Sequence, residues 1–334
     1  MRRTIAVVLG ASVWVSLLPA SGAWAADGDR IPVSVPIRTI DTPDRSGQNG
    51  IVSIKVGSST LSVMLDTGSV GLRLWDGKPA GATLTSVQAP AVVGGQSLPG
   101  QYAKAAFTIG GVHATAPLTF QLIDTSSSYI AKWKSIGIAG ILGIGVGRSP
   151  LANPLAMLPG TLGTQWSVHF DRLRASAADA AGSGALVLGA AVPNDALMNF
   201  QLTTQGKSAA GVLLWDDHAA SGCWAFARLA EQCVPTWFDS GFTVMRIKGK
   251  SFSSLPQTKS HLLQPGTVVR LAAGSSAFTG HQFIAGHSGS RNLARVLSTG
   301  RSVINTGNSF FFDYTVSYDI ALGKLALSTP AKGI

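Results

Sequence analysis

The chain has 334 residues, 46% of them hydrophobic and 13% charged, with 39 glycines, which excludes a disordered chain and suits strands joined by many tight turns. The formal net charge is +10, but the basic residues are scattered and form no stripe with interleaved aromatics, which argues against a nucleic-acid partner and for solubility or attraction to an anionic envelope surface. Two cysteines would by themselves make an incomplete metal site, so no metal or other cofactor is expected.

Arg2 and Arg3 lead into an apolar run from Ile5 to Leu18, and Ala23-Trp24-Ala25 offers the small-x-small pattern of a signal peptidase site. This predicts a signal peptide over residues 1–25 and export to the periplasm or the outside medium. The run is short for a membrane helix and no later segment reaches ~18 uninterrupted apolar residues, so no integral membrane segment is expected after signal removal; a retained N-terminal anchor is the alternative. From Asn49 onward, short β-prone runs alternate with glycine or polar pairs: Ile51 to Val56, Leu61 to Leu65, Gly71 to Trp75, Ala105 to Ile109 and Leu118 to Ile123. Helical periodicity is scarce, with candidates only at Asp171 to Ala181 and Asn153 to Leu158. Gly184 to Gly189 reads as a buried strand between glycine stops, after which the strand-turn texture starts again. Single cores stop growing beyond roughly 250 residues, so two β lobes are predicted, over 26–192 and 193–334, with the boundary near Val192. In an exported chain, Cys223 and Cys233 are expected to form a disulfide across a short loop.

The chemistry-bearing signal is an internal echo. Val63-Met64-Leu65-Asp66-Thr67-Gly68-Ser69 is answered by Trp237-Phe238-Asp239-Ser240-Gly241-Phe242. Each copy runs apolar residue, Asp, hydroxyl residue, Gly. Hydrolysing a peptide without metal or covalent intermediate requires one carboxylate to activate water and one carboxylic acid to polarise the carbonyl. Two aspartates brought together by two lobes can do both, because like charges that close share a proton instead of both ionising. The apolar residues would shield each Asp in a strand, and the glycine permits the tight turn. One such triplet alone also reads as an ordinary turn; two copies, one per lobe, are far more specific.

With these residues the chain resembles the pepsin-like aspartic proteases over nearly its whole mature length. Asn49 to Ile54 is similar to the strand entering that family's first lobe. Gly140-Ile141-Leu142-Gly143-Ile144-Gly145 resembles its apolar-apolar-Gly element, and Trp166 to Phe170 with Gly184 to Gly189 resembles the strands closing that lobe. Gly307, Tyr314 to Asp319 and Gly323 to Leu327 match the family's closing strands. The resemblance implies an all-β, bilobal fold with an interlobe cleft, and Asp66 and Asp239 as the catalytic pair. It also implies Thr67 and Ser240 bonding across the lobes, and Gly68, Ser69 and Gly241 as dyad supports.

The departures are as informative. The stretch matching the family's tyrosine-bearing flap is Ala91-Val92-Val93-Gly94-Gly95-Gln96, without tyrosine, and the tryptophan that partners it is replaced by Arg73, with Trp75 two residues on. Val93, Gly94, Gly95 and Arg73 are therefore the flap and cleft candidates. Phe242 stands where the second lobe usually has a hydroxyl beside its aspartate, and Thr243 is the candidate to compensate. Asn305-Thr306-Gly307 replaces the second apolar-apolar-Gly element. The stretch from Ala26 to Asp66 leaves no room for a propeptide.

Other patterns favour ordinary roles. Gly143 to Gly147 lacks the dinucleotide fingerprint and its βαβ context. His281 and His287 have no third ligand and read as surface-loop residues. No serine lies in a Gly-x-Ser-x-Gly elbow, and Phe310-Phe311-Phe312 reads as core. Three functions remain: an exported aspartic endopeptidase, working as a monomer on a polypeptide held between the lobes; a pepsin-like module that binds or inhibits a protein without cleaving it; and a β-rich envelope protein whose two Asp turns are coincidental. For the first, slow cleavage of apolar peptides below about pH 5 and little near pH 7 is expected.

Overall fold

The computed structural model describes residues 31–43, 47–93, 95–123, 127–171, 184–226, 229–274, 281–286 and 293–330. The expected signal peptide, Gly94, His287, and the expected helix beyond Asp171 lie outside them, as does the side chain of His281. The helix candidate at Asn153 to Leu158 forms only a single 3-10 turn, Leu155–Met157.

Strands carry the fold. Ile51 to Val56 is the inner part of strand Gln48–Val56, in which Val52, Ile54 and Val56 are buried while Ser53 and Lys55 face out, the period-2 alternation of a half-buried strand. It makes a hairpin with Ser59–Asp66, pairing Val52 with Val63 and Val56 with Ser59. The expected runs at Gly71, Ala105, Leu118 and Gly184 form strands Val70–Leu74, Phe107–Ile109, Leu118–Ile123 and Gly184–Leu188.

The same three-strand arrangement recurs in the two halves. Gly140–Ile144 lies parallel to Ser59–Asp66, with Gly143 opposite Asp66, and antiparallel to Val70–Leu74, with Gly143 opposite Gly71. Val303–Asn305 lies parallel to Leu229–Trp237, with Asn305 opposite Trp237, and antiparallel to Met245–Lys248, with Asn305 opposite Arg246. Each set brings the strand leading to one aspartate beside a strand much later in the chain.

The halves are stitched together. Val33–Asp41, Gly184–Leu188, Gln165–His169, Thr315–Asp319, Lys324–Ser328 and Met198–Gln201 follow one another in a single sheet, so the last strands of the chain pair with strands from its middle. Under this sheet Trp166 stacks on Tyr318 at 5.7 Å, and Phe170 meets both Phe311 and Phe312, at 5.6 and 5.5 Å. The Phe310-Phe311-Phe312 run, buried in helix Ser309–Asp313, is core packing. Polar ties cross as well: buried Asp217 accepts from the backbone N–H of Val146 at 2.7 Å, and Asn308 donates to the Gln48 carbonyl and to Asn49 Oδ1. A smaller core of Ile51, Met64, Trp75, Ala91, Val93, Ile123, Ile130 and Trp133 lies on the other face of the first half.

Cys223 and Cys233 are bonded, directly opposite each other on the antiparallel strands Ala220–Phe226 and Leu229–Trp237. The crosslink closes a short loop, so replacing both cysteines by alanine is expected to lower stability by about 2–3 kcal/mol. The check is the urea midpoint at unchanged slope; an unmoved midpoint refutes the expectation. Among the described residues no helix is long and apolar enough to cross a membrane.

Candidate active site

Strand Ser59–Asp66 ends on Asp66, and Leu229–Trp237 ends just before Phe238 and Asp239. The buried residues Leu65 and Phe238 anchor the two approaches, so each aspartate follows directly on a core residue. The hydroxyl residue that follows each one reaches across. Thr67 N–H donates to Ser240 Oγ at 2.9 Å and Ser240 N–H donates to Thr67 Oγ1 at 2.9 Å. In turn Thr67 Oγ1 donates to the Phe238 carbonyl at 2.7 Å and Ser240 Oγ to the Leu65 carbonyl at 2.9 Å. Both side chains are buried, and the four bonds form a closed, two-fold-like lock between the halves, in which each hydroxyl both donates and accepts.

The lock forces the carboxyls together. A Cβ added to Gly68 would overlap Asp239 Oδ1, and one added to Gly241 would overlap Asp66 Oδ1. Only glycine fits at either place because each turn lies against the opposite carboxyl group. The Asp66 and Asp239 side chains are within hydrogen-bonding reach of each other. That geometry excludes the reading of two unrelated surface turns.

Each carboxyl has its own donors. Asp66 accepts from Gly68 N–H at 2.8 Å and from the Ser69 hydroxyl at 2.6 Å. Asp239 accepts from Gly241 N–H at 3.0 Å, and its other oxygen is served by Asn305 Nδ2 at 2.6 Å. Here the structure corrects the expectation for Thr243, which packs against Gly47; the residue that replaces the missing hydroxyl at Phe242 is Asn305. The polar substitution in the second apolar-apolar-Gly element and the lost hydroxyl are thus two sides of one exchange. Asn305 is held for the task because its Oδ1 accepts from Gly307 N–H at 2.8 Å.

Burial, then the negative charge of Asp66, push the Asp239 carboxyl up to about 8, against the opposing donors Asn305 and Gly241. Asn305 stabilises the ionised form, so its removal shifts Asp239 further upward. Asn305→Ala is expected to move the alkaline limb of any dyad-dependent pH–rate profile to higher pH by about 1 unit. A limb that stays in place or moves down contradicts the assignment.

The flap candidates divide. Ala91–Val93 and Gln96–Leu98 form a hairpin with Gly95, at φ 80°, in its tip. Val93 is buried in the smaller core with Trp75 and Trp133, so it anchors the hairpin and does not line the cleft. Trp75 is also fully buried, its Nε1 donating to the Ile138 carbonyl at 2.6 Å. Arg73 stays on the sheet face shared with that hairpin and within electrostatic range of Asp66 and Tyr102, with its guanidinium pulled down by burial. Sequence reasoning missed Arg246, although it follows Asp239 at the interval at which Arg73 follows Asp66; extending the echo a few residues further would have found it. Beside Gly241 a cavity of about 240 Å³ is lined by Tyr129, Lys132, Trp133, Phe242 and Thr243, among others. Among the described residues the group with metal-ligand spacing is Cys223, Glu231 and Cys233, and its two sulfurs are committed to the disulfide.

The architecture is the all-β, bilobal pepsin-like fold. The chain is similar in structure to the aspartic proteinase from Irpex lacteus, with a TM-score of 0.57 at 18% identity, covering 90% of this chain and 97% of that one. No protein-family model matches the chain, and no curated protein matches it in sequence.

Proposed function

We propose that this protein is an exported aspartic endopeptidase that cleaves a polypeptide lying between lobes that meet near Val192, with Asp66 and Asp239 as its catalytic pair. The observation that carries the reading is the reciprocal fit at the dyad, where the turn glycine of each half lies against the carboxyl group of the other. The raised Asp239 holds the shared proton and the Asp66 carboxylate takes the proton of a water lying between them. The water oxygen attacks the peptide carbonyl carbon while Asp239 donates its proton to the carbonyl oxygen. As the tetrahedral intermediate collapses, the C–N bond breaks, the proton on Asp66 passes to the leaving nitrogen, and Asp239 regains its own from the hydroxyl.

Because burial and Asp66 push Asp239 up to about 8, the singly protonated dyad extends into the neutral range. The expected confinement of activity below about pH 5 is revised accordingly, to cleavage continuing toward pH 8 and failing above it. Export rests on the sequence of residues 1–25 and is supported by the disulfide, a bond that persists in oxidising compartments.

A second reading, a module that holds a peptide without cleaving it, is favoured by one observation. The hairpin matching the flap carries no tyrosine, and Val93 turns into the core, so substrate is less firmly positioned and excluded from water. One experiment separates the two: purified protein and its Asp66→Asn variant are incubated with a peptide library from about pH 3 to about pH 8, with and without a statine-type transition-state mimic. Cleavage by the first alone, suppressed by the mimic, supports the peptidase. Equal absence of cleavage with retained peptide binding supports the module.

A further inference from the structure

Beyond the dyad, the strands that return from it carry a charge pattern that acid-base chemistry does not need. Arg73 and Arg246 occupy equivalent places in the two halves, each on the strand that returns from its aspartate: Arg73 pairs with Ile141, and Arg246 with Asn305. Arg73 lies within electrostatic range of Asp66, and Arg246 of Asp239. Each carboxyl therefore has its own guanidinium within electrostatic range.

Neither arginine is used up by the fold. Among the described residues no ion pair involves Arg73, Arg246 or Arg295. The buried Nε of Arg73 has no hydrogen-bond partner, and its guanidinium makes only a long 3.5 Å contact to the Gly71 carbonyl. A buried donor left unsatisfied carries a desolvation cost that a ligand can relieve. Arg246 lies over the Phe242 ring at 3.9 Å, a cation–π contact that holds its charge beside the second aspartate. Directly across the parallel strand pair sits Arg295, and both side chains are exposed. Like charges placed opposite each other on neighbouring strands are destabilising. Lys132 adds a further positive charge on the wall of the cavity beside Gly241 and Phe242. By contrast, the acid nearest that cavity wall in sequence, Asp41, already accepts from Gln48 at 3.0 Å.

Resting on the peptidase reading for its site, we infer that the cleft selects acidic polypeptide segments. Arg73 receives a substrate carboxylate on one side of the scissile bond, and Arg246 with Arg295 receives one on the other. Arginine suits the role because its planar fork binds a carboxylate through two parallel hydrogen bonds and keeps its charge at every relevant pH. The loss of the tyrosine and tryptophan that pin a flap in related folds is then accompanied by a different hold on the substrate, in which charged contacts near the dyad take over the positioning.

The test uses short synthetic peptides with a central apolar pair and either Glu or Gln at the flanking positions, assayed at about pH 6, where glutamate is ionised. The expected result is a kcat/KM at least about tenfold higher for the Glu peptides. Arg246→Gln and Arg73→Gln, each tested separately, are expected to lower the Glu-to-Gln ratio at different peptide positions. Because Arg73 is half-buried and its variant could fold poorly, the exposed Arg295→Gln provides an independent reading of the second subsite. Isothermal titration of the same peptides into the Asp66→Asn protein distinguishes this inference from the peptidase reading. Selective binding of Glu peptides without turnover by the native protein would remove the peptidase and keep the acidic preference. Equal binding or equal turnover of Glu and Gln peptides, at every position, overturns the inference.

Discussion

Replacing either Asp66 or Asp239 by asparagine is expected to reduce peptide cleavage by at least about 10²–10⁴-fold, the range that general acid–base groups supply. The two losses should not add, because the carboxyls share one proton and act as a unit; the double variant should be about as slow as either single one. Asparagine preserves shape, yet at Asp239 it can bring an NH₂ against donors that now serve a carboxyl, Gly241 N–H and Asn305 Nδ2. The same variant carries a stability signature. A carboxyl whose folded value is raised, from 3.8 to about 8, binds its proton more tightly folded than unfolded, so its contribution is fully present below pH ~4 and is lost as pH rises through ~8. Asp239→Asn does not titrate there. The stability difference between it and the native protein should therefore shift in the variant's favour between those limits, read by urea unfolding at several pH values. Native-like turnover by either single variant would end the dyad assignment, and a pH-independent stability difference would end the account of the raised Asp239.

Ser240→Ala is the second large effect, and it falls on stability as much as on rate. The buried hydroxyl accepts from Thr67 N–H and donates to the Leu65 carbonyl. Its removal strands one buried donor and one buried acceptor, each costing about 1–3 kcal/mol, so a loss of about 2–4 kcal/mol is expected. Thr67→Val strands the Phe238 carbonyl and Ser240 N–H in the same way and should cost a similar amount. Because the two residues share bonds, the double variant should lose less than the sum, with a coupling of about 0.5–3 kcal/mol. Urea midpoints of the four proteins measure it. Strict additivity, or a Ser240→Ala loss below about 0.5 kcal/mol, would show that the halves are held elsewhere, for instance by Asp217 with Val146 or Asn308 with Asn49. Activity should fall with stability here, since the lock sets the distance between the carboxyls.

What the sequence by itself determined is what local order can encode. The alternation in Ile51 to Val56, the glycine stops around Gly184 to Leu188, and the apolar-Asp-hydroxyl-Gly order at Asp66 and Asp239 are each written within a few consecutive residues, because strand period and turn chemistry are local. Their duplication was enough to expect two β halves and one shared site. Tertiary structure alone decided which side chains serve that site. Asn305 could be seen as an anomaly in its own strand, but its bond to Asp239 exists only because Val303–Asn305 lies beside Leu229–Trp237. Thr243, nearer in sequence and chemically suited, turns instead toward Gly47. Val93 reads as flap from its neighbours, yet packing with Trp75 and Trp133 takes it into the smaller core. The pairing of Arg246 with Arg295 depends on two strands far apart in the chain becoming neighbours. Strand period and turn residues constrain each segment's own backbone, whereas a hydrogen-bond partner or a neighbouring charge is set by which distant segments the sheets bring together, and that depends on the packing of the whole chain.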